Sequence, residues 1–136
     1  KTTLTRIKNE MPRLIKSFEA SRLVIDSITL FEMMFLEESE RRLNLFDILA
    51  ILKETGATTM ITSESSRAIP YSTRYGLVEY IADGAIMLQY VRSSEMKDVK
   101  LAVEVVKMRR HRHSRSIKPY DITDQGIVVH SESEVF

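Results

Sequence analysis

The chain has no cysteine in its 136 residues, so disulfides and thiolate zinc sites are excluded. This fits a reducing compartment, and a cytoplasmic location is expected. Glycine is scarce. The four glycines are Gly56, Gly76, Gly84 and Gly126, and none is followed by Lys-Ser or Lys-Thr. The glycine-rich loop whose amides cradle nucleotide phosphates is therefore missing, and with it tight ATP binding by this chain alone. No apolar run approaches the roughly 18 to 20 residues that cross a bilayer. No signal-peptide pattern opens the chain, which starts KTTLTR without methionine on an amphipathic pattern. The expectation is the later part of a longer protein.

What remains is ordinary for one soluble domain. Hydrophobic residues make up 43% and the formal net charge is +1. Charge is unevenly placed, however. Lys107, Arg109, Arg110, Arg112, Arg115 and Lys118 fall in one stretch with no acid among them.

Leu4, Ile7, Met11, Leu14, Ile15 and Phe18 recur at helical spacing and predict one inward stripe. Thr3 or Thr5 is a candidate cap, and Pro12 either interrupts this helix or opens its main part. Residues 22–27 are short, continuous and β-branched, as in a parallel strand buried on both faces. Residues 28–37, ITLFEMMFLE, are irregular and read as a loop leading to a helix. Residues 38–55 predict that helix, with Leu45, Phe46, Leu49 and Leu52 inward and Gly56 just past its end.

Residues 57–63, ATTMITS, predict a second buried strand, completing half of a βαβ crossover. Residues 64–76, including Ser72 and Thr73, read as an exposed loop. The pattern then turns to alternation. Residues 85–92 and 99–109 predict an antiparallel hairpin around a turn at Ser93 to Asp98. Residues 116–123 and 126–130 predict two more strands around Asp124-Gln125-Gly126, and the tail SESEVF is expected to fray.

Asp26 ends the first strand. A carboxylate there faces the crevice where α/β sheets bind ligands and suits a magnesium-bound water, with Ser27 sharing the network. The alternative is an aspartate capping the next turn. Thr62, Ser63 and Glu64 end the second strand, either to meet a terminal phosphate or to bond their own loop. Lys107 and Arg109 lie two apart in KMRRHRH and would leave one strand face, forming a phosphate site or a solvated face. His111 and His113 have no further histidine or cysteine near them, so a metal is not expected. Arg110, Arg112 and Arg115 could bind nucleic acid electrostatically, but no aromatic residue interleaves them for stacking.

Three segments together resemble the second half of a KaiC-like domain of the RecA superfamily of P-loop ATPases. They are RLVIDSIT at 22–29, similar to the Walker B strand, YGLVEYIADGAIMLQYVR at 75–92, and LAVEVVKMRRHRHSRSIKPYDITDQGIVV at 101–129. The resemblance runs from about Ser21 to His130, and the short archaeal relatives are the nearest in flavour. It implies a partial RecA-like α/β fold, parallel strands with helices followed by antiparallel strands, with residues 1–136 the C-terminal part of one domain.

It further implies an ATPase using ATP and Mg2+, assembled as a homo-oligomeric ring, usually a hexamer, with nucleotide between subunits. By position, Asp26 assists magnesium. Lys107 and Arg109 act in trans on the γ-phosphate. His113 matches a family histidine, and Ser63 and Glu64 fall near the switch strand. The sequence departs from the family at Arg110, where glycine is usual, and in the missing first half. Its loss would bare a strand edge beside residues 22–27 and favour self-association. Two other readings stand beside this one: a catalytically inactive oligomerisation module, and a nucleic-acid-binding RecA-like protein.

Overall fold

The computed structural model describes residues 2–92 and 99–135. The expected turn at Ser93 to Asp98 lies outside them. The chain forms two compact units, Lys1–Ala82 and Asp83–Phe136.

In the first unit, α1 (Thr2–Ser17) runs unbroken through Pro12. The proline therefore neither interrupts nor starts it, and Thr3 and Thr5 sit inside the helix rather than before it. Proline removes one amide bond from a helix interior. Packing against α3 (Glu38–Glu54) opposes that loss. Lys8 donates to Asn44 Oδ1 at 3.1 Å and pairs with Asp47, clamping the two helices together. Ile15 is buried with Ile48, Leu49 and Leu52, and Leu4, Ile7 and Met11 pack around them. Leu14, Phe18 and Phe46, expected inside, are exposed. The contact between the helices is narrower than the apolar stripes, and Ile48 rather than Phe46 joins the buried cluster.

Acids at Glu38 and Glu40 and the cation at Lys53 complement the dipole of α3. Gly56 follows with φ 73°, the left-handed conformation that lets the chain leave a helix sharply.

This helix connects β1 (Arg22–Ile25) to β2 (Thr58–Ile61). The strands pair in parallel, Val24 opposite Met60 and Ile25 opposite Ile61. Both are shorter than the apolar runs that predicted them. Leu23, Ile25 and Ile61 pack on the helices, but Val24 and Met60 are 65% and 63% exposed. The expectation of burial on both faces is thus wrong for this pair. The alternation is one-sided, as in a sheet covered by a single layer.

Two short helices escaped the sequence reading. Residues 28–32, expected as loop, form α2 (Ile28–Glu32), and α4 (Val78–Ile81) follows the loop at 64–76. Ile28, Leu45, Leu77 and Val78 form a second buried cluster and seat both helices. Among the described residues, no helix is long and apolar enough to cross a membrane.

The second unit is an antiparallel meander of β3 (Gly84–Val91), β4 (Lys100–Met108), β5 (Lys118–Thr123) and β6 (Gly126–Val129), in that order. The expected hairpin is present as β3 and β4, with a register shift at Ala85/Ile86. Gly84 lies against Met108, where an added Cβ would come within 2.9 Å of the sulfur. The tail, expected to fray, is anchored at one described residue. Val135 is buried, and its carbonyl accepts a hydrogen bond from Lys100 Nζ at 3.0 Å.

Candidate functional site

The carboxyl ends of the two parallel strands bring several sequence-predicted residues together. Asp26 follows β1 and is exposed. Its Oδ1 accepts the Thr62 hydroxyl, while the Thr62 amide donates to Ile25 O at 3.0 Å. The carboxylate thus ties the two strand ends together. Ser27 stands at the N-cap position of α2 but makes no side-chain cap. The Asp26–Ser27 peptide is cis.

Thr29 extends this cluster, and the sequence reading missed it. It is 1% exposed, and its hydroxyl accepts the Glu64 amide at 3.0 Å. The same oxygen lies 3.4 Å from Ser63 Oγ. The first turn of α2 therefore fixes the exit of β2. No helical period was visible over ITLFE, so nothing in the sequence signalled an inward threonine there.

Glu64 itself turns outward and pairs with Arg74 at 2.8 Å. That pair closes the neck of the loop at 64–76, with Arg74 N bonding Glu64 O at 2.7 Å and Ser66 N bonding Ser72 O at 2.8 Å. Ser72 and Thr73, expected in an exposed loop, are half-buried, and both hydroxyls donate to Glu79 at 2.6 Å. Burial pushes the Glu79 carboxyl up, but the hydrogen bonds from Ser72 and Thr73 outweigh it. The group is held below the ordinary carboxylate range.

Glu32 was also missed. It ends α2, is 0% exposed, and neither carboxylate oxygen has a hydrogen-bond partner. Burial raises its pKa to about 7, against the attraction of Arg41 and with added repulsion from Glu79. Arg41 donates to Glu32 O at 3.1 Å and Phe35 O at 2.7 Å, and its guanidinium lies 4.0 Å from the centre of the Tyr75 ring. It spans from the end of α2 to the loop.

Asp26 fits the way magnesium is usually held, through one or two carboxylates and retained waters. It is a single exposed carboxylate with hydroxyls beside it. Among the described residues, no group of three or more His, Asp or Glu side chains is gathered to cage a metal.

The basic segment belongs to the second unit. Lys107 lies in β4 and is half-buried, whereas Arg109 follows the strand end at Met108. The Arg109 amide still donates to Asp83 O at 2.7 Å, so the pairing continues one rung further. Arg110 has φ 63°. His111 and His113 are exposed, and their Nδ1 atoms lie 3.1 Å from Arg109 O and 2.8 Å from Ser114 O.

Comparison with known proteins decides the family. The profile described as ATPase: KaiC matches residues 1–134. The chain belongs to the KaiC family of ATPases. It is 34% identical over 113 residues to the circadian clock oscillator protein KaiC of Synechococcus elongatus, covering 83% of this chain and 21% of that protein. The KaiC of Prochlorococcus marinus is 34% identical over 115 residues, 85% of this chain and 23% of that protein. The crystal structure of a KaiC-like protein from the archaeon Pyrococcus horikoshii superposes with a TM-score of 0.82 at 35% identity, covering 96% of this chain and 55% of that one. The chain thus spans about a fifth of the curated KaiC relatives it matches. Its parallel pair and antiparallel meander are those of a KaiC-like RecA-superfamily domain.

Proposed function

We propose that this chain is the later part of a KaiC-like ATPase domain and works at ATP sites shared between copies of a homo-oligomeric ring. The leading half, with the phosphate-cradling loop, completes one side of each site. What supports this most directly is Asp26, placed at the carboxyl end of a parallel pair and tied to Thr62 across it.

Asp26 would hold a magnesium ion carried by the triphosphate through a retained water. Magnesium, when bound, neutralises charge on the outer phosphates. Ser63 and Glu64, set by Thr29, form the strand exit that meets the terminal phosphate. In this reading Lys107, in β4, and Arg109, just after it, serve the triphosphate of the adjoining copy, with His113 following them. There they stabilise negative charge on the transferring phosphoryl group, in a setting where water is excluded and charge interactions are strong.

The test uses the assembled full-length protein. Lys107→Ala or Arg109→Ala should lower turnover by roughly a hundredfold or more while nucleotide affinity changes little. Parallel loss of turnover and affinity contradicts a role confined to the transition state.

A further inference from the structure

Arg110 stands in the turn that follows β4. It has φ 63°, in the left-handed region where a side chain crowds its own backbone and glycine fits without penalty. A bulky residue persists in such a conformation when something repays the strain. Among the described residues nothing does so. Arg110 is exposed and makes no hydrogen bond or ion pair with any described residue. The nearest acids along the sequence are Glu104 and Asp121, and every Lys, Arg, Asp or Glu between them is basic.

We infer that Arg110 is an additional phosphate contact, reaching from the turn after β4 to the same bound triphosphate that Lys107 and Arg109 serve. Three features of the turn favour an anion as its partner. Arg110 directly follows Arg109, so the two Cα atoms stand about 3.8 Å apart. Arg112 and Arg115 are exposed along the same segment, which concentrates positive potential there. A guanidinium also presents paired donors that match phosphate oxygens, which a lysine cannot do.

The contact is to ground-state charge on the phosphates, so it acts on affinity rather than on the chemical step. This rests on the nucleotide reading proposed above. It assigns to Arg110 the binding part of a site in which Lys107 and Arg109 act on the reacting phosphate.

The experiment compares Arg110→Gly and Arg110→Lys with Lys107→Ala in the assembled full-length protein. ATP turnover is measured from low to high salt and melting is measured alongside. Arg110→Gly should raise KM for ATP roughly three- to tenfold with kcat nearly unchanged. The effect should shrink as salt screens it. Melting temperature should stay level or rise, because glycine relieves the backbone. Arg110→Lys should fall between Arg110→Gly and the parent.

A wild-type KM in Arg110→Gly, with turnover still lost in Lys107→Ala, overturns this inference and leaves the nucleotide reading standing. Undiminished turnover in Lys107→Ala removes that reading and this one with it. A lower melting temperature in Arg110→Gly would make the arginine a structural residue. Weakened assembly without nucleotide would make its partner an acidic side chain of the neighbouring copy. Either result overturns the inference.

Discussion

Replacing Glu32 with glutamine removes a proton-binding group from the interior of the first unit. Glu32 is 0% exposed and both its oxygens lack hydrogen-bond partners. Its pKa climbs from 4.5 to about 7, first because burial disfavours the charge. The folded state therefore binds this proton more tightly than the unfolded chain. Stability from this group is complete below pH 4.5 and is lost as pH rises through about 7.

At about 1.4 kcal/mol per decade of affinity, the loss totals about 3 kcal/mol at pH 8. That is a sizeable share of the roughly 5–15 kcal/mol that holds a typical domain. Glu32→Gln keeps the shape and cannot ionise. Urea unfolding followed by circular dichroism at pH 5 to 8.5 supplies the comparison. Subtracting the variant's profile from the parent's cancels groups common to both. The parent should lose stability relative to the variant between pH 5 and 8, and the variant should be the more stable at pH 8.5. Parallel profiles would refute a protonated carboxyl at this position and the burial argument with it.

Other expectations follow from the same geometry. Thr29→Val keeps the shape but strips the acceptor from the Glu64 amide, at a cost of about 1–2 kcal/mol, read by urea unfolding. Glu79→Gln removes the charge that accepts from Ser72 and Thr73. It should speed amide exchange at residues 72–76, and unchanged exchange would show that the loop is held elsewhere. The 136-residue chain should self-associate through the open side of β1 and β2. Val24→Lys with Met60→Lys should reduce this in sedimentation, and a parent that stays monomeric at high concentration removes the expectation.

The parts of the fold that were legible share one property, a strong local period. The antiparallel ribbon announced itself through alternation from Ala85 to Arg92 and from Val99 to Arg109. The parallel pair announced itself through short β-branched runs around a long helix. Short elements left no such trace. Five residues of α2 and four of α4 give barely one helical turn, too little for periodicity to register. A continuous apolar run also does not reveal how many of its faces are covered, so Val24 and Met60 were placed inside.

Candidate site residues at strand ends were accessible because strand termini are marked by a change from apolar to polar residues. Asp26, Thr62, Ser63 and Glu64 all stand at such changes. Glu32 was not accessible. An acid within FEMMF reads as a surface residue, but the fold buries it at the end of α2, where Arg41 donates to its carbonyl. The strained backbone of Arg110 was equally invisible, although the sequence did mark the residue as unusual for the family.

The central claim is that Asp26 and the Lys107–Arg109 pair serve one site from two different copies. Mixing two inactive full-length variants tests it most directly, one carrying Asp26→Asn and the other Lys107→Ala with Arg109→Ala. In a head-to-tail ring assembled from equal amounts, about one interface in four joins an intact Asp26 to an intact basic pair. ATP turnover should therefore recover to roughly a quarter of the parent's when the variants are assembled together. Mixed rings as inactive as either variant alone would place all these residues in a single-copy site and contradict the account.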